Sequence, residues 1–270
     1  MGRGVAALFL LMVVAVTAPV ALVVAPVVAP AVAGESVDLE LVLLVDASRS
    51  IDDGELRFQR EGYAVAITHP EVLGAISHGF LRRIAVVFVE WADEASQEVV
   101  VPWTVIDGED SARRFAQAML AAPRQAFGPN AIGPALAAGH ALIEGNDIDG
   151  TRRVIDFSGD SSWAGGGIPV ALARRAALDA GIVINGLAVL CRECESGRPA
   201  DDDLEGAFAA TIIGGPGSFV ITADGGASFA EAVRRKLVLE IAGLPGSDPP
   251  EVAGSLAALA ADSLKRSNPR

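Results

Sequence analysis

A chain of 270 residues, half of them apolar and 29 of them glycine, is long enough to build one sizeable α/β domain. Its formal charge of −13 repels the phosphates of DNA and RNA, which excludes nucleic acid as a partner.

Residues 1–33 read as an export signal. Arg3 is the only charge before Glu35, an apolar run starts at Val5, and Ala31-Val32-Ala33 has the small-x-small form of a cleavage site. The stretch is long enough to span a bilayer, but Pro19, Pro26 and Pro30 interrupt any continuous helix, so cleavage is expected rather than anchoring. The mature chain is then expected to begin near Gly34, periplasmic or secreted, with no membrane span left.

Residues 41–45 form a continuous apolar run, as in a strand buried on both faces. A helix is predicted from Asp52 to about His69, with Asp52 and Asp53 suited to its first turn. Residues 84–90 and 99–105 are β-rich and separated by a polar turn, the pattern of a hairpin at a sheet edge. Helices are predicted over 111–121, 132–144 and 168–179, with strands at 153–157 and 181–190. Residues 208–213 and 218–222 and a helix over 228–242 complete the alternation. Alternating strands and helices imply a Rossmann-like, doubly wound and mostly parallel sheet with helices on both faces. One domain is expected over 37–243. The Pro- and Gly-rich stretch from residue 244 to 270 reads as a flexible tail.

The apolar run ends in Asp46-Ala47-Ser48-Arg49-Ser50. Alternate residues of an extended segment point the same way, so Asp46, Ser48 and Ser50 can present three hard oxygens to one point. A hard divalent cation such as Mg²⁺ accepts one or two carboxylates and keeps several waters. Asp160 follows a short apolar strand in the Gly-rich segment VIDFSGDSSWAGGG, and a parallel sheet can bring that strand end beside Asp46. Asn130 stands in FGPNAIGPAL, just before a predicted helix. Taken alone, Asp-x-Ser-x-Ser also suits an Asx turn or a helix cap, with Ser50 capping the helix near Asp52.

With these three segments in place the chain resembles the von Willebrand factor A-like domains over roughly residues 37–243. Their metal-ion-dependent adhesion site uses Asp-x-Ser-x-Ser, a threonine in a loop before a helix, and an aspartate after a later strand. The resemblance implies metal ligation by Asp46, Ser48, Ser50 and Asp160. Asn130 falls where the threonine is expected, a departure from the pattern, although an amide oxygen is also a hard ligand. It further implies one divalent cation, Mg²⁺ foremost with Mn²⁺ or Ca²⁺ as alternatives, and a protein partner presenting an acidic side chain. Trp163, beside Asp160, is the residue expected to touch that partner. The segments VIDFSGD, IIGGPGSFV and FAEAVRRKLVLEIAG are similar to an exported bacterial subgroup of unknown function.

Two other readings compete with binding. A hydrolase could use Asp46 and the Asp160-Ser161 loop, yet a serine nucleophile needs a histidine base, and only His69, His78 and His140 exist. An aspartate phosphatase would want a second acid at Ser48 and a lysine nearby, and the chain has only Lys236 and Lys265. The third reading is a metal-free scaffold. Cys191 and Cys194 are expected to close a structural disulfide loop after export, because Glu193 and Glu195 oppose an activated thiolate and no further zinc ligands stand nearby. Asp201-Asp202-Asp203 reads as a solvated turn or helix start, and Gly214-Gly215-Pro216-Gly217 as a tight turn.

Overall fold

The computed structural model describes residues 34–190, 203–223 and 227–243. The export signal, the tail from residue 244 and the Cys191–Cys194 pair lie outside the described residues.

Strand β2 (Leu39–Asp46) is buried at all eight positions. Its odd residues Leu39, Leu41, Leu43 and Val45 enter one core, and Val42 and Leu44 enter the other. This is the period-two alternation of a strand covered on both faces. It pairs in parallel with β3 (Ile84–Trp91) on one side and β6 (Arg153–Gly159) on the other. The remaining strands of this sheet are β4 (Gln97–Ile106), β7 (Val183–Val189) and β8 (Val220–Ala223), in the order β4-β3-β2-β6-β7-β8. Only β4 runs antiparallel, as the edge partner of the predicted hairpin. Two short strands, β1 (Glu35–Val37) and β5 (Ile148–Gly150), pair separately in parallel.

Helices α1 (Asp53–Ile67), α2 (Pro70–His78), α3 (Glu109–Ala121) and α7 (Ala227–Ala242) cover one face through Tyr63, Val72, Phe115 and Leu237. Helices α4 (Ile132–Glu144), α5 (Val170–Asp179) and α6 (Leu204–Thr211) cover the other through Leu136, Ala173 and Phe208. The fold is the doubly wound α/β arrangement expected. Among the described residues no helix is long and apolar enough to cross a membrane.

Local chemistry moves several predicted boundaries. Asp52 is not inside α1 but caps it, accepting from Glu55 N while the Glu55 carboxylate accepts from Asp52 N, a reciprocal capping box. The unpredicted helix α2 follows at once: Pro70 sits in its first turn, where a missing N–H costs nothing, and the His69 ring accepts from Glu71 N. Residues 208–211 close α6, whose cap is Asp203, accepting from Gly206 N at 2.8 Å. Gly215 and Gly217 take φ of +92° and +71° in the turn before β8, a backbone region suited to glycine.

Candidate metal centre

The chain leaves β2 toward β3 on one side of the sheet and later returns to β6 on the other, with the connecting helices on opposite faces. The gap between the carboxyl ends of β2 and β6 is therefore the topological switch point, where α/β sheets bind ligands. Asp46 ends β2, and Asp160 follows Gly159 at the end of β6. Asp46 is 1 % exposed, and its Oδ2 lies 3.4 Å from the backbone N of Asp160. A Cβ at Gly159 would stand 3.3 Å from the same oxygen and 3.4 Å from the Trp91 ring, so glycine lets the two strand ends close up. Burial, and then the Asp160 charge, push Asp46 up to about 7. A buried carboxylate thus stands beside a half-buried one, an arrangement that a cation relieves.

Asp46 Oδ1 accepts from Ser48 N at 2.8 Å, so an Asx turn is present. The helix-cap alternative for Ser50 is not: Asp52 takes that role, and Ser50 Oγ lies 3.2 Å from Ser48 Oγ. The intervening Ala47 and, beyond the serines, Ile51 turn inward onto Leu56, Ala92 and Ala126. The segment is thus a turn rather than the extended run expected, and it is the turn that places the Ser48 and Ser50 hydroxyls side by side.

Asn130 reaches the same edge on the loop between α3 and α4. That loop is held from below by the buried Arg60–Glu90 ion pair: Arg60 Nη2 donates to Pro123 O at 3.0 Å, and Glu90 Oε2 accepts from Gln125 N at 2.9 Å. It is held from the side by Arg49 N, which donates to Gly128 O, and by Ala131 N, which donates to Ala92 O, both at 2.8 Å. Asn130 is 5 % exposed, and its carbonyl accepts from Gly165 N at 2.7 Å. A Cβ at Gly165 would lie 1.9 Å from that carbonyl, so this approach needs glycine. Asn130 and Ser50 share a pocket of about 370 Å³ with Arg49, Pro129 and Trp163. Trp163 is 62 % exposed on its rim.

One residue that shapes the candidate site escaped the sequence. Arg124 Nη2 donates to Ala47 O at 2.5 Å and Ser48 O at 3.2 Å, Nη1 donates to Ile51 O at 3.0 Å, and Nε donates to Ala126 O at 3.1 Å. It clamps the Asp46–Ser50 loop to the Asn130 loop. Only its place in a polar loop marked it, and that is no signal.

The donor set is hard. Among the described residues no three His, Cys, Asp or Glu side chains converge, so a cation here would rest on two carboxylates, two hydroxyls and an amide. That set fits a divalent ion that retains water. His69 caps α2 and His78 ends it, just before β3 begins at the opposite edge of the sheet from Ser161. A larger cleft, about 720 Å³, also lies at that amino edge, lined by Glu40, Arg152, Asn185 and Glu240 among others, and is remote from Asp46.

Comparisons with known proteins agree on architecture. The pilus adhesin SpaC from Lactobacillus rhamnosus GG, in its open conformation, is 14% identical with a TM-score of 0.52 over 76% of this chain, which spans only 30% of the adhesin. A mutant of the PilB minor pilin from Streptococcus sanguinis is 10% identical with a TM-score of 0.50, covering 77% of this chain and 64% of that one. At such identities the likeness is one of fold. No curated protein matches the chain. The family model described as "Protein of unknown function (DUF1194)" matches residues 36–245, and the chain belongs to that family.

Proposed function

We propose that this is an exported von Willebrand factor A-like domain that binds a divalent cation at its carboxyl edge and, through it, an acidic group of a protein partner, in adhesion or in assembling an envelope complex. The observation that carries the reading is the meeting of Asp46 and Asp160 at the switch point, 3.4 Å from carboxylate oxygen to backbone N, beside the Ser48 and Ser50 hydroxyls. Ser48, Ser50 and Asn130 would supply neutral oxygens, and Asp46 and Asp160 the charge. Mg²⁺ suits this set best, with Mn²⁺ or Ca²⁺ as alternatives. So few anionic ligands leave a bound cation electrophilic, able to take one more carboxylate oxygen. The chain's part is to hold the oxygens in place, and the Arg124 clamp and the Gly165 contact do so. The sharing of this fold with a pilus adhesin and a minor pilin accords with a role in protein–protein interaction.

Binding is favoured over hydrolysis because His69 and His78 stand toward the opposite edge from Ser161, leaving that hydroxyl without either as base. Calorimetric titration of the mature chain with Mg²⁺ and Mn²⁺ tests the reading. Saturable binding is expected, lost in both Asp46→Ala and Asp160→Ala. Absence of binding at millimolar metal, or full affinity in either variant, would sink it.

A further inference from the structure

The pocket beside Ser50 has an uneven composition. Of its five lining residues, Arg49, Ser50, Pro129, Asn130 and Trp163, one is charged, and it is a cation. Arg49 is exposed, and its guanidinium has no ion pair or hydrogen bond among the described residues, while most arginines of the domain, Arg60, Arg113, Arg124, Arg152, Arg153, Arg174 and Arg234 among them, are engaged. Arg57, Arg82, Arg114 and Arg235 also have no ion pair or hydrogen bond among the described residues, but Arg49 is the one that lines this pocket, where it can take an anionic occupant. Its backbone is fixed even though its side chain is not, because Arg49 N is bonded to Gly128 O at 2.8 Å. The acids nearby do not line the pocket: Asp93 accepts from Ala95 N and backs the Gly128 turn, and Glu94 stands against Gly166 and Gly167. Opposite Arg49, the Trp163 indole lies 3.5 Å from where a Gly165 Cβ would be and offers an exposed apolar wall.

A divalent cation would formally cancel Asp46 and Asp160, and Arg49 then leaves the mouth with a net positive charge. We propose that the pocket between Arg49 and Trp163 selects a partner segment carrying two neighbouring carboxylates, one for the cation and the next for Arg49, with its backbone laid against Trp163. The pocket's 370 Å³ has room for about two such residues. The proposal rests on the metal reading above and adds the partner's chemistry to it.

Two synthetic peptides test it on the mature chain, acetyl-Gly-Glu-Gly-Gly-amide and acetyl-Gly-Glu-Glu-Gly-amide, each titrated by calorimetry in saturating Mg²⁺. Metal affinity is measured first and separately. The diacid is expected to bind the wild type about threefold or more tighter than the monoacid, the scale of one exposed arginine–carboxylate pair. That preference should vanish in Arg49→Ala and reverse in Arg49→Glu, each variant being assayed at Mg²⁺ saturating for its own measured affinity, because losing a cation beside the site itself strengthens metal binding. A preference that survives Arg49→Ala, or a Mg²⁺-loaded wild type that binds neither peptide, overturns the pocket assignment and leaves the metal reading standing. A wild type that binds no Mg²⁺ overturns both.

Discussion

The Arg124 guanidinium reaches the carbonyls of Ala47, Ser48, Ile51 and Ala126 while its side chain stays 15 % exposed, so one residue ties together the two loops that carry Asp46, Ser48, Ser50 and Asn130. Hydrogen bonds from a charged donor each contribute about 1.5–3 kcal/mol, but four on one guanidinium share its charge and are not additive. Arg124→Met, which keeps the apolar stem, should therefore lower unfolding free energy by about 2 kcal/mol in urea denaturation. It should also weaken Mg²⁺ binding about tenfold in calorimetry, because the ligand loop loses its register before the fold is lost. Unchanged metal affinity would show that the Asp46 Asx turn holds the loop unaided. The contrast with Asp46 explains what was legible. Asp46, Ser48 and Ser50 are grouped by the strand end and the Asx turn that follows it, and the short Asp-x-Ser-x-Ser spacing makes that local grouping visible in sequence. Arg124 meets its acceptors 73 to 77 residues away, except Ala126, and no spacing rule encodes that. Arg49 was hidden differently, as the unremarked residue between two proposed ligands.

Elements were read best where one physical cause dominates. Continuous burial marked β2 and β3, and the polar turn between β3 and β4 marked the edge hairpin. Helix α2 was not predicted, although Pro70 in its first turn is a helix-start signal. Helix α7 shows a conflict that its amphipathic pattern concealed. Phe229, Val233, Leu237 and Ile241, four residues apart, are buried and contribute roughly 6–12 kcal/mol of apolar transfer as an upper bound. Between them Lys236 and Glu240 are buried as well. Lys236 Nζ lies 2.8 Å from Asp156 of β6 and 2.5 Å from Glu240, while Asn185 of β7 donates to Glu240 at 2.9 Å. One ammonium faces two carboxylates, with the buried Tyr63 of α1 close enough to feel Asp156. Burial first, and then Asp156, push Glu240 up to about 7 from 4.5, and burial likewise raises Asp156. A carboxyl whose folded pKa exceeds its unfolded one holds its proton more tightly when folded. Its contribution is intact below about pH 4.5 and is lost as pH rises through about 7. The metal-free wild type should accordingly become less stable between pH 5 and pH 8 in urea denaturation. Glu240→Gln, which can still accept from Asn185, should make that slope shallower, the part due to the buried Asp46 remaining. An unchanged slope in the variant would assign the titration to other groups.

At the scale of the whole molecule, the site sits where the chain reverses its direction of sheet building, so its two acids come from segments 114 residues apart and meet only in the finished fold. Stability and metal binding should then be opposed in a diagnostic way. Asp46→Asn keeps an amide oxygen that can accept from Ser48 N, so the Asx turn survives the substitution in either reading. The same substitution removes the buried Asp46 charge from beside Asp160. The metal-free variant should then melt above the metal-free wild type at pH 8. Adding Mg²⁺ reverses the order. A ligand at a hundred times its Kd adds about 2.7 kcal/mol to the state it binds, which for a domain of this size raises Tm by roughly 5–10 °C. The wild type should gain that increment and lose it to a chelator, while Asp46→Asn should gain almost none. Scanning calorimetry of both chains, with Mg²⁺ and with chelator, gives the four melting temperatures required. A wild type indifferent to Mg²⁺ would favour the metal-free scaffold, because the two acids at the switch point would then serve turn geometry alone.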